Sequence, residues 1–115
     1  MVLEKKEEKM KVNVLGSEYT VEFKKLDEDS LLKTRDGYCD HSVRKIVVCE
    51  FEREEDSIED LEKYKNDVLR HELVHAFLTE SGLQTQSWAD NEEMVDWIAL
   101  QFPKMMKAFQ ESECL

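Results

Sequence analysis

The chain has no apolar run approaching the ~18–20 residues that a membrane-spanning helix requires. Its opening, "MVLEKKEEKM", lacks the apolar core of a signal peptide. Positive charge is also in short supply: 16 Lys and Arg against 27 Asp and Glu give a formal net charge of −11. Nucleic acid and anionic membranes repel such a chain, so neither is expected as a partner, and solubility is the plain reading of the charge. Cysteine is sparse. Cys39, Cys49 and Cys114 form an odd set without CxxC spacing, which points to a reducing, cytoplasmic setting, with a Cys39–Cys49 bridge left open as the alternative. No repeat, low-complexity tract or internal linker is visible. What remains is a chain of 115 residues and ordinary apolar content, the size of one domain, residues 1–115, with one modest core.

Residues 1–9 are charged and read as a frayed end. In "MKVNVLGSEYTVEF", Val12, Val14, Tyr19, Val21 and Phe23 alternate around "LGSE", the pattern of a β-hairpin turning at Gly16. A polar connector follows, with a short helical turn near Ser30–Lys33 and a turn signal at Asp36 and Gly37. "YCDHSVRKIVVCEF" reads as one or two strands, strongest at Ile46, Val47 and Val48. From Asp56 the period becomes helical. Asp56 and Glu59 fit a capping box with Ile58 opening the helix. Ile58, Leu61, Val68, Leu69, Leu73, Ala76 and Phe77 recur at helical spacing, and Gly82 is a natural stop. One helix over 57–81, or two broken near Asn66, fits. After "LQTQSWAD" a second helix, capped by Asp90 or Asn91, buries Met94, Val95, Ile98, Ala99 and Phe102. Pro103 ends or bends it, and "KMMKAFQESE" forms a terminal helix. Strands first and helices second make an α+β protein.

Within the first helix, "LRHELVHAFL" sets His71 and His75 four residues apart. On a helix that spacing puts both imidazoles on one face, where they can share a metal ion. Zinc takes histidine nitrogen and keeps one position open for water at catalytic sites. Glu72, beside the first histidine, is placed to take a proton from such a water. HExxH on a helix carries this chemistry. Two satisfied histidines on a buried helix are the alternative. A third ligand must come from elsewhere, since no HxxGxxH extension follows His75. In "ADNEEMVDW", Glu92 and Asp96 share one helix face. Glu92 can ligate while Asp96 accepts the remaining N–H of a ligand histidine. Glu93 is the rival ligand, one residue and 100° of helix away, and a solvated acidic first turn is the structural alternative for both.

HELVH, a gap of sixteen residues, then "NEEMVD" resembles the gluzincin clan of zinc metallopeptidases, in which HExxH is followed by an NExxxD helix. More narrowly, the strand hairpin, "DGYCD", the apolar strand, "RHELVHAFL" and "NEEMVDWIALQFPK" resemble small zincin-like proteins of phages and prophages, related to the ImmA/IrrE metallopeptidases. The likeness covers roughly residues 10–105. It implies a minimal zincin fold, with N-terminal antiparallel strands packed on the HExxH helix and a second, ligand-bearing helix. It implies one zinc per chain held by His71, His75 and Glu92, with Asp96 bonding His71 and Glu72 as general base. It also implies that the strand before the HExxH helix, residues 45–50 from Lys45 to Glu50, is a sheet edge that pairs with an extended protein or peptide substrate; an ordinary inner strand is the competing reading.

A peptidase also needs a donor for the tetrahedral oxyanion. Tyr38 and His41 are the candidates, with Trp88 able to donate only through its indole N–H. Cys39 reads as a buried structural thiol in preference to an inhibitory zinc ligand. The expectation is therefore a cytoplasmic zinc metallopeptidase, with a zinc-stabilised interaction module lacking turnover as the alternative. A metal-free acidic adaptor is a third and weaker reading.

Overall fold

The alternating segment near the N-terminus forms a tight hairpin. β1 (Lys9–Val14) and β2 (Ser17–Lys24) pair antiparallel, with Val14 opposite Ser17. Leu15 and Gly16 make the turn at φ 51° and 93°, the left-handed pair that a two-residue hairpin loop demands. The Asn13 side chain accepts the Gly16 N–H at 2.9 Å. Lys9, expected to fray, opens β1 opposite Glu22 and ion-pairs with it at 3.3 Å. The computed structural model describes residues 9–52, 59–85 and 88–115.

Two further strands, β3 (Gly37–Asp40) and β4 (Lys45–Cys49), complete a four-stranded sheet of order β1-β2-β4-β3. The sheet is mixed, not wholly antiparallel as expected: β4 runs parallel to β2 and antiparallel to β3. The 45–50 segment is therefore no edge, which corrects its expected role in pairing with substrate. Its sequence carries the reason. Ile46 and Val48 pack toward the helices, Val47 and Cys49 toward the other face, and all four are buried. A strand covered on both faces reads as a continuous apolar run and belongs in the middle of a sheet. The open edge next to the helices belongs to β3.

One face of the sheet carries Val14, Tyr19, Val21, Phe23, Ile46 and Val48, packed against Ala76 with Val68, Leu69 and Leu73 alongside. The other face holds a smaller cluster of Leu32, Val47 and Cys49, with Tyr38 and Phe51 against it. Two short 3₁₀ helices, Leu26–Glu28 and Ser30–Lys33, supply Leu32. Cys39 and Cys49 belong to opposite faces and all three cysteines are free thiols.

α1 (Leu61–Glu80) is one unbroken helix through Asn66. Asp60 caps it, accepting the Lys63 N–H at 2.9 Å, so Glu59 lies outside the helix; the expected capping partner Asp56 and Ile58 fall outside the described residues. At its end Gly82 (φ 76°) donates to the Thr79 carbonyl and Leu83 to that of Leu78, the paired bonds of a Schellman stop. The stripe facing the sheet includes two residues the apolar pattern does not show, Lys65 and Glu72. Lys65 is buried with its ammonium on Glu50 at 2.9 Å and above the Phe23 ring, which satisfies the charge.

α2 (Glu92–Glu111) starts at Asn91, whose side chain accepts the Met94 N–H at 3.0 Å. It continues without a break through Pro103, where the sequence suggests an end or a bend followed by a separate helix. The carbonyl that the proline ring leaves without a helical donor is that of Ala99, and the Arg70 guanidinium of α1 donates to it at 2.6 Å. Of the residues assigned to a buried face of this helix, Val95 and Ala99 are buried, whereas Met94 and Phe102 are exposed. Among the described residues no helix is long and apolar enough to cross a membrane.

Candidate metal centre

HExxH lies at the middle of α1, and α2 brings its first turn against it. The Nε2 atoms of His71 and His75 each sit 2.9 Å from one oxygen of the Glu92 carboxylate. The three ligand atoms of His71, His75 and Glu92 all lie within 4.8 Å of one another. Zinc bonds of ~2.0–2.2 Å in a tetrahedron separate donor atoms by roughly 3.3–3.6 Å. Two imidazoles and one carboxylate at this spacing therefore fit that ion. The other ring nitrogen of His71, Nδ1, faces Asp96 at 3.2 Å. A proton held there by Asp96 leaves Nε2 as the lone-pair nitrogen, the form that ligates. Burial lowers the pKa of His75 and so favours its neutral form, against the pull of Glu92.

Glu72 is the buried member of the motif, 8% exposed. Burial pushes its carboxyl up to about 7, with the Glu92 charge adding to the rise and His71 and Arg35 opposing it. A carboxyl near neutrality can take and return a proton at physiological pH. Its position depends on Gly37. A Cβ on that glycine would lie 3.0 Å from Val68 Cγ1, 2.9 Å from the Val47 carbonyl oxygen and 3.5 Å from Glu72 Cγ. Lacking one, β3 passes close against α1 at Glu72. Read locally, Asp36-Gly37 is a turn; in the fold, Gly37 is the first residue of β3, where the strand meets the helix.

The remaining residues singled out in the sequence separate cleanly. Glu92 meets both histidines, and Asp96 meets His71. Glu93, one position round the helix, is exposed and takes no part in the cluster. Tyr38 belongs with the opposite face of the sheet, where its hydroxyl donates to Asp29. Tyr38 also lines the cleft with His71, Glu72, His75 and Glu92, while Gly37 and Cys39, its neighbours in the alternation of the strand, hold the side toward α1. His41 lines the same cleft. Its Nε2 lies 3.1 Å from Thr79 Oγ1 and its Nδ1 3.3 Å from Cys39 Sγ. Burial, then the Glu72 charge, pushes the Cys39 thiol up to about 12, and the cysteine is not among the three residues of the cluster.

Two contributors escaped the sequence reading. Arg35 lines the same cleft and its charge acts on Glu72; an arginine two residues before the strand glycine was the only available signal. The second is the open edge of β3. Cys49 N–H donates to the Asp36 carbonyl at 2.8 Å, and the alternation of an antiparallel ladder then turns the N–H and C=O of Gly37 and Cys39 away from β4. That free edge borders the cleft.

In comparisons with known proteins, no family model, no curated protein and no solved structure matches the chain.

Proposed function

We propose that the protein is a zinc-dependent metallopeptidase of the gluzincin type, akin to the phage and prophage zincin-like proteins related to ImmA/IrrE, working in the cytoplasm. The observation that carries the reading is the convergence of His71, His75 and Glu92 within 4.8 Å, with the buried Glu72 beside them. These three side chains would hold one zinc per chain. When bound, zinc supplies a Lewis acid that polarises a carbonyl and acidifies water.

The residues of the chain do the rest. Glu72 accepts a proton at its carboxylate and returns it to the leaving amine, the paired role of a general base and acid. Asp96 holds the Nδ1 proton of His71 and keeps Nε2 free. The Gly37 and Cys39 backbone groups bind an extended protein or peptide by strand addition. Arg35 and His41, on the wall of the cleft, are the groups able to face a developing negative charge. A net charge of −11 favours peptide over nucleic acid or anionic membrane as the partner.

A second reading, a zinc-stabilised interaction module without turnover, draws support from an apolar groove between α1 and α2, about 500 Å³ in volume and lined by Phe77, Trp88 and Phe102. Paired measurements on wild type and Glu72→Gln separate the two. The peptidase reading expects one zinc per chain in both proteins, and hydrolysis in the wild type that falls by about a hundredfold or more in the variant. Zinc without hydrolysis across a broad peptide panel favours the module. No zinc uptake by either protein defeats both.

A further inference from the structure

A second cavity, about 330 Å³, shares Gly37, His71 and Glu72 with the metal cleft and extends from them along the first half of α1. Its size is at the small end for ligand pockets and suits one side chain. Val68, Leu100 and Tyr64 provide apolar wall, and three aspartates add carboxylates. Two of these are matched by cations or by the metal site: Asp67 pairs with Arg70 at 2.5 Å and Lys63 at 3.3 Å, and Asp96 with His71. Asp36 differs. Its partner is the Tyr64 hydroxyl, which orients the carboxylate and leaves its charge in place. Among the described residues no lysine or arginine pairs with it.

We propose that this cavity receives a lysine or arginine side chain of the substrate, its aliphatic stem against Val68 and Leu100 and its cationic end at Asp36. The inference rests on the zinc-peptidase reading and gives it a substrate class: peptides with a basic residue next to the scissile bond. Long basic side chains have the required form, an apolar stem with a charged tip. The neighbouring cleft carries Arg35, so a cationic side chain is repelled on that side and accepted on this one. The net charge of −11 draws basic chains to the protein in the first place.

The test uses two peptide hydroxamates that differ only in the side chain next to the zinc-binding group. One is lysyl, the other norleucyl, which keeps the stem and lacks the charge. Affinities for the zinc-loaded protein are measured by calorimetry, with zinc content determined on the same samples. The lysyl probe should bind about tenfold more tightly, the scale of a hydrogen bond to a charged group, and the gap should narrow with added salt. Asp36→Asn keeps an acceptor for Tyr64 and should remove the preference, leaving zinc content and norleucyl affinity unchanged. Equal affinities in the wild type, or a preference that survives Asp36→Asn, overturn the inference and leave the zinc site standing. A protein that takes up no zinc, or that holds zinc and binds neither probe, overturns the inference together with the reading beneath it.

Discussion

Arg70 Nε donates a 2.6 Å hydrogen bond to the backbone carbonyl of Ala99, the carbonyl that Pro103 deprives of its helical partner. The guanidinium also holds Asp67 at 2.5 Å, so it is anchored on its own helix while it reaches across to the other. Arg70 adjoins His71, and Ala99 lies one turn from Asp96. The bond that satisfies a broken helix therefore also docks the two helices that carry the candidate ligands His71, His75 and Glu92. A proline in mid-helix costs roughly 3 kcal/mol relative to alanine; here its orphaned acceptor is put to use between elements.

A double-mutant cycle follows from this arrangement. Arg70→Met should destabilise the protein by about 1–3 kcal/mol, because it removes a charged donor from a carbonyl with no other partner. Pro103→Ala restores the N–H that the Ala99 carbonyl needs, so it should stabilise the chain. In that background Arg70→Met should cost less than half as much. Urea unfolding of the four proteins measures the coupling, and additive effects would show that Arg70 and Pro103 act independently.

Glu92→Gln should weaken zinc binding far more than Glu93→Gln, since Glu92 alone meets both imidazoles. Asp96→Asn should fall between, losing about tenfold to a hundredfold, as expected when the partner of a ligand histidine is altered. Competition with a chromogenic chelator reads all three. Matching losses for Glu92 and Glu93 would mean that α2 sits in another rotation when metal binds.

Gly37→Ala tests the close approach of β3 to α1. The added methyl meets a carbonyl oxygen at 2.9 Å and Val68 at 3.0 Å, so strand and helix must separate. The expected cost is about 1–3 kcal/mol, typical of overpacking, accompanied by weaker zinc binding as Glu72 and the histidines shift from β3. Unchanged thermal stability would show that the contact yields freely.

The acid limb of stability should carry a signature of Glu80. Hydrogen bonds from Ser17 at 2.6 Å and Tyr19 at 2.8 Å, with Arg44 nearby, hold its pKa below the ordinary 4.5. A depressed folded-state pKa stabilises the native chain above the unfolded value, and that contribution disappears as pH falls through the folded one. Wild type should therefore lose more stability than Glu80→Gln between about pH 5 and pH 3, with the two curves running parallel at higher pH. Parallel curves throughout the acid range would remove Glu80 from the account.

The sequence by itself determined what depends on near neighbours along the chain. The hairpin at Gly16, the stop at Gly82, a cap at Asp90 or Asn91 and the shared face of His71 and His75 all follow from contacts a few residues apart, whose geometry the backbone dictates. The pairing of Glu92 with Asp96 on one face was legible for the same reason. Only the tertiary structure decided the relations between elements. Residues 45–50 form an inner strand because β2 takes them in parallel across a long connection, leaving β3 at the edge. The Tyr38 hydroxyl meets Asp29 because the register against β4 pairs Tyr38 with Val47. Pro103 stays within a helix because an arginine from another element supplies its missing donor. Lys65 and Glu72 are buried among apolar neighbours because packing, unlike periodicity, accepts a charge where a partner or a function meets it. Such choices depend on which distant surfaces pack together, and local sequence patterns carry little information about that sum.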